Sequence, residues 1–426
     1  MSYNAIILIK YLKTEKIMMK KFLTIMLLAG IFFVSCEKND PQPVIETTND
    51  SMVINNDLND LSDRLITNPT PDTDTIGDNG NMLKSTNTSV VIQQIAQLLP
   101  PTYNNETLQA SHIRIVGNYA YVSYNTQGPR YLGGIDIVDI SDVNNPVLIS
   151  GAVFINVETN EGKDISSVDI ESKGNNNFVW LVGAEEGNEN LNTPAIVERY
   201  ILNESNQFKH VDEARQYYDL PGYVGTDVKF STDQGGPTVF ATSGTGGGLT
   251  VLNNGMNLKE YHEFDNARSV DVTKDYVVAL GGNPGHVFSP NLWNEPIGGA
   301  NDPEAKSILK LYGDHLLVAL GEDGLKCFDL TSNTPFTEVS SLPRPVIPVD
   351  ALNEWNYVTN SVSVLNDWVY VANGEGGLDV AKFDNGQLIG MGNINLTESV
   401  NYVESGNGYV FVATGLAGLT ILKVVE

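Results

Sequence analysis

The sequence predicts an all-β chain folded as a β-propeller. Three observations carry this: a short strand phrase returns along the chain, its spacing suits four-stranded sheets, and Gly and Asn turns punctuate it. The clearest copy is Gly133–Ser150, in which Gly-Gly opens a strand pattern, Ser141–Pro146 makes a turn, and Val147-Leu148-Ile149 starts the next strand. Alternation with a β-branched bias, broken by Asn and Pro, is the pattern of a hairpin.

Copies of the phrase begin at Ser111, Ser167, Thr226, Ser269, Ser307, Ser361 and Ser399, between 38 and 59 residues apart. The shorter intervals hold four strands of about five residues with their turns, the size of a propeller blade. Longer intervals carry loop-like insertions at 183–194 and 342–357. Second strands such as Val369-Tyr370-Val371 are apolar on both faces, as strands sandwiched between neighbouring sheets must be. The expected architecture is seven four-stranded antiparallel blades in a ring, because a linear stack would expose two apolar ends and no polar capping repeat is present. Copy four lacks the phrase seen at 133–146. The last copy ends on Leu419–Val424 with no strand to spare, so closure needs one from the other end. Val90–Leu99 is the candidate, with a short amphipathic helix as the alternative for that segment.

Ahead of the repeats, Lys20-Lys21 precede an apolar run from Phe22 to Val34, too short for a comfortable membrane span and suited to a signal peptide. Met18 or Met19 is a plausible start. Phe33-Val34-Ser35-Cys36 resembles the lipobox of bacterial lipoproteins, with Phe33 where an aliphatic is usual. The resemblance implies lipidation of Cys36 and membrane attachment. The acidic residues after Cys36 resemble a surface-export tag of Bacteroidetes lipoproteins, which implies an outer-membrane, surface-exposed protein. Residues 36–87 are rich in Asn, Asp, Thr and Pro and read as a solvated linker, with one short helix suggested by the spacing of Ile54, Leu58, Leu61 and Leu65. The domain reading is therefore signal peptide 1–35, linker 36–87 and propeller 88–426.

The phrase at 133–146 resembles the LVIVD repeat of bacterial surface proteins and lipoproteins: a Gly-Gly, an aliphatic-rich strand ending in Asp139, then a turn before Asn145-Pro146. Asp136 departs from it, standing where an aliphatic is usual. The resemblance implies a β-propeller and an exported protein, and carries no common reaction. Asp139, at a strand end beside Ser141, is expected to accept hydrogen bonds from turn amides.

From Cys36 onward the chain has 20 basic and 51 acidic residues. So much negative charge repels phosphate backbones, which argues against nucleic-acid binding. Two cysteines, Cys36 and Cys327, exclude a disulfide scaffold, and Cys327 reads as a buried small hydrophobe. Five scattered histidines form no pair at metal-ligand spacing, and no nucleophile elbow, phosphate loop or zinc motif is present.

The chemistry that remains is acidic or aromatic. Asp169, Asp227 and Asp271 lie just inside the first strands of copies two, three and four, where an axial carboxylate set could hold Ca²⁺. Asp227 is out of phase with the other two. Tyr217, Tyr218 and Tyr223, with Trp293 and Trp355 in loops, are the candidate ligand platform. The expected function is a lipid-anchored binding or scaffold module presenting a propeller face to a protein or glycan, without catalysis or cofactor. Two alternatives stand beside it: a Ca²⁺-dependent propeller hydrolase or lactonase using the three aspartates, and an assembly or adhesion factor of the envelope.

Overall fold

A computed structural model describes residues 44–46, 52–67, 73–76, 90–174, 176–209, 215–282, 286–288, 295–296, 305–331, 337–396 and 398–425. The expected signal peptide 1–35, Cys36 and Trp293 lie outside them. Residues from Pro43 onward form one compact unit.

The chain is an all-β propeller of small antiparallel sheets, each built by consecutive strands. In the first blade the innermost strand Gln109–Val116 pairs with Tyr119–Asn125, which pairs with Gly133–Asp139, which pairs with Val147–Phe154. The hairpin predicted from Gly133 therefore forms. Its turn is held as expected, Ser141 N–H donating to Asp139 Oδ1 at 2.9 Å. The blade phrase also explains its glycines. Gly324, Gly377 and Gly418 stand at φ +75°, +82° and +81° in one recurring tight turn, a conformation that glycine adopts without strain. At Gly133 a Cβ would lie 2.6 Å from the Lys163 carbonyl, so the first blade could not approach the second with a side chain there.

Innermost strands touch in chain order, and the last, Tyr402–Gly406, returns against the first. Apolar clusters fill the gaps between successive sheets. Tyr121, Ile137 and Phe154 meet Val168 and Leu181, for example, and Val278 and Leu280 meet Leu309 and Leu316. Both faces of each middle strand are thereby buried, as the unbroken apolar second strands require. Val90–Leu98 pairs with Leu419–Val425, so a strand from before the first blade completes the last one and closes the ring.

Two expectations need correction. Six blades are full, not seven. The fourth sheet in chain order has the short strands Ser269–Val272, Val277–Gly281, His286–Phe288 and Glu295–Pro296. Pro296, which cannot donate to a ladder, stands in the outermost of these. Nor is 36–87 wholly a solvated linker. Val44–Glu46 pairs onto the outer edge of the second blade, Val53–Asn55 onto the first, and both Leu65–Thr67 and Thr73–Ile76 onto Val90–Leu98. Three- and four-residue strands carry too little periodicity to stand out in a polar stretch, and exposed sheet edges supply the template. The helix suggested there is one turn, Leu58–Ser62, capped by Asp57.

Third strands bury an acidic residue at one equivalent position, and each is handled differently. Asp136 is met by Arg64, which donates from both terminal nitrogens and also reaches the Leu99 carbonyl, tying the N-terminal segment across two blades. Glu198 is met by Lys163 Nζ at 3.0 Å and by the Tyr200 hydroxyl. Asp379 is met by amides, Asn393 at 2.7 Å and Asn373, which offset only part of the burial that pushes its carboxyl up to about 6.

Two outcomes follow. Arg64→Ala leaves Asp136 charged and uncompensated, and should cost about 3–5 kcal/mol in urea unfolding, with Arg64→Leu/Asp136→Leu recovering most of it. For Asp379 the folded value lies above the unfolded one, so its stabilising contribution is complete below about pH 4 and lost as pH rises through about 6. Asp379→Asn should therefore raise the melting temperature at pH 7.5 and change it little at pH 4.

Candidate functional site

Each innermost strand is the edge of its sheet at the channel, so its channel-facing N–H groups lack ladder partners. Side chains of the preceding sheet supply them. Ser269 Oγ and Asp271 Oδ2 accept from Leu309 N and Leu311 N, at 3.2 and 2.8 Å. Ser361 Oγ and Ser363 Oγ accept from Val403 N and Ser405 N, at 3.0 and 2.9 Å. Both series step by two in the same direction, so neighbouring innermost strands run parallel past the channel.

Aligned by these bonds, the channel-facing residues form two rows. His112, Ser167, Asp227, Ser269, Ile308, Ser361 and Tyr402 make the first. Arg114, Asp169, Lys229, Asp271, Lys310, Ser363 and Glu404 make the second, in which charge alternates except at Ser363. Arg114 Nε lies 2.6 Å from Asp169 and its Nη1 3.6 Å from Glu404, which Lys310 approaches at 3.9 Å.

The alternation has a structural cause. A cation cannot accept the N–H of the following strand, so the carboxylate of that strand accepts its own. Asp169 takes Ile170 N at 2.8 Å with Oδ1 and Phe230 N at 2.8 Å with Oδ2. Asp271 takes Val272 N at 3.0 Å with Oδ1, its Oδ2 being the acceptor for Leu311 N.

Asp227 sits in the first row because a β-bulge between Gly225 and Asp227 shifts the strand's phase. It is 1% exposed. Its oxygens accept from Val228 N, Val270 N, Ser167 Oγ and Ser269 Oγ, at 2.9, 3.1, 2.8 and 3.0 Å. The three aspartates are thus spread over two rows. Among the described residues, no group of three or more His, Cys, Asp or Glu is placed to hold a metal ion. The Ca²⁺ set expected from Asp169, Asp227 and Asp271 is not assembled, because each carboxylate is drawn to backbone N–H groups of its own and the next strand.

His112, Ser167 and Asp227 are the residue types of a hydrolase triad, in the wrong order. Val168 N donates to His112 Nδ1 at 3.4 Å, so the neutral ring carries its proton on Nε2, which faces Ser167 Oγ at 3.3 Å. Ser167 gives its own proton to the hydrogen bond with Asp227. The imidazole, driven well below its usual value by burial and by Lys229, Lys306, Arg114 and Lys310, therefore donates to the serine and cannot take its proton.

At the end where the innermost strands leave the channel, a polar cleft of about 270 Å³ opens between Arg114, Asp169, Lys229, Phe230, Ser231, Thr232, Asp233, Asp271 and Val272. Lys229 is held charged: burial and Arg114 lower its value, but Asp227, Asp271 and Asp169 outweigh them and raise it. Nothing in residue type alone marks Lys229, though aligning the copies on their buried apolar residue would have exposed the alternating row.

The aromatic platform is only partly assembled. Tyr217 and Tyr218 are 0% and 2% exposed, so they are not ligand contacts. Tyr218 fills the gap between the second and third blades, and Tyr217 lies under the added strand, opposite Val44. Tyr223 and Trp355 are 65% and 49% exposed, in loops that lead into innermost strands, and so at the opposite end of the channel from the cleft.

Removing Asp227 should destabilise the fold far more than removing one of its serine partners. Asp227→Ala strands two buried N–H groups, and the expected loss is about 3–5 kcal/mol in urea unfolding, against about 1 kcal/mol for Ser269→Ala.

The LVIVD repeat profile matches residues 109–151 and 358–381, which lie in the first blade and across the sixth. Comparison with curated proteins finds no match. Among solved structures, a catalytically inactive variant of virginiamycin B lyase from Staphylococcus aureus, with quinupristin, is similar at 11% identity and TM-score 0.53, covering 78% of this chain and 99% of that one. The WD40 β-propeller domain of Doa1 is similar at 12% identity and TM-score 0.50, covering 79% and 97%. The computationally designed Ika8 protein aligns at 11% identity and TM-score 0.45, covering 82% and 96%. At such identities the likeness is one of fold. The chain is a β-propeller that carries LVIVD repeats.

Proposed function

We propose that this chain is a non-catalytic binding module, held at the bacterial outer membrane by a lipid on Cys36 and presenting one propeller face to a protein. The observation that carries the reading is the loop 343–357, where Val346, Val349, Leu352 and Trp355 all stand exposed. Large apolar side chains held in water on one loop are what a protein-contact surface offers. Tyr223 lies at the same end of the channel, so the face formed by loops entering the innermost strands is the presented one. The axial aspartates support a non-catalytic role, since the oxygens of Asp169, Asp227 and Asp271 are taken up in joining strands.

The test places a photo-crosslinking amino acid at Leu352 in the full chain, expressed in cells that process lipoproteins. A discrete protein adduct is expected there and not at a control position on the outer edge of a blade. Fatty-acid labelling should mark the unsubstituted chain and fail for Cys36→Ser. No adduct at Leu352 would sink the binding face, and an unlabelled chain would sink the anchor. Calcium should leave the melting temperature unchanged, because the carboxylates are already engaged. A saturable rise would favour the hydrolase alternative.

A further inference from the structure

We infer that the cleft where the innermost strands leave the channel is a binding site for a small oxyanion, a carboxylate or phosphate group, received by the Lys229 ammonium. This site lies at the other end of the channel from the proposed protein-contact loop and stands independently of it.

The argument is an accounting of donors and acceptors. The two deep carboxylates lining the cleft are engaged: Asp169 by Arg114 Nε, Ile170 N and Phe230 N, and Asp271 by Val272 N and Leu311 N. Donors, by contrast, are left over. Lys229 is 8% exposed and lines the cleft, yet among the described residues its Nζ makes no hydrogen bond and no ion pair within 4.0 Å. Ser231 Oγ accepts from Asp233 N at 3.1 Å, which leaves its O–H to donate, and Thr232 adds a second hydroxyl.

A buried ammonium without acceptors is costly, and a charged oxygen ligand is the partner that relieves it. The space of about 270 Å³ and its polar lining suit a molecule of a few heavy atoms and not an apolar one. The charge balance limits the ligand's own charge. Arg114 and Lys229 are offset by Asp169 and Asp271, and Asp233 stands at the rim, so high charge is repelled and a small group of low charge is admitted, a carboxylate or the monoanionic form of phosphate.

The experiment is isothermal titration of the full soluble chain with sodium acetate and, separately, inorganic phosphate, replacing chloride at constant ionic strength. Saturable binding of at least one is expected, weakened about tenfold or more in Lys229→Met, since a charge-assisted hydrogen bond is lost. Lys259→Met, on an outer strand, should bind as the parent does. Lys229→Gln, which keeps a donor without the charge, should fall between, and melting curves for each variant separate lost binding from lost fold. Absence of saturable heat with both anions overturns the inference. So does an equal response in parent and Lys229→Met, which would mark a general salt effect. Acetate alone binding identifies a carboxylate ligand, and phosphate alone a phosphate.

Discussion

The fold depends on satisfying the channel edge of each sheet. A propeller hides most strand edges between or outside its blades, but every innermost strand still turns a row of N–H groups toward the axis, where few waters fit. Here the preceding sheet answers Leu309 and Leu311, and Val403 and Ser405, with side-chain oxygens two residues apart, and carboxylates of the same strand answer Ile170, Val228 and Val272. The bonds run along the ring from His112 and Ser167 through Asp227 and Ser269 to Leu309, so sheets are joined laterally by polar contacts as well as by apolar packing. This requirement accounts for Ser269, Ser361, Asp227 and Asp271 near the start of their copies.

It also accounts for the charges. A carboxylate can serve two N–H groups at once, its own strand's and the next one's, but a ring of carboxylates would repel itself. Interleaving Arg114, Lys229 and Lys310 cures the repulsion, and a carboxylate's second oxygen covers the N–H that the preceding cation cannot. Among the described residues, Lys229 is the member whose head group has no acceptor within hydrogen-bonding distance, which is why the cleft beside it differs from the rest of the channel.

Much of this was legible in the sequence. The strand phrase, the turn at Asp139 and closure by Val90–Leu98 follow from alternation and from counting strands. Facing directions were harder to read, because bulges at Ala110/His112, Ile165/Ser167 and Gly225/Asp227 shift the period within the innermost strands. Asp227 reads as out of phase because Thr226 is the extra residue of its bulge and is equivalent to Ser166, so Asp227 is equivalent to Ser167. Edge strands such as Val44–Glu46 could not be read, since a three-residue strand is defined by the edge it meets. Tyr217 and Tyr218 carry a polar hydroxyl that suggests a surface, while their rings make them equally good core residues. The family likeness marked Asp136 as a departure, and only Arg64, 72 residues earlier, explains it.

Closure by the strand Val90–Leu98 has a kinetic meaning. Its partner, Leu419–Val425, is made far later in the chain, so the ring cannot lock until that segment has emerged. Joining segments so far apart is entropically slow. Until then Val90–Leu98 is an edge without the neighbour that closes the ring, open to pairing with another strand.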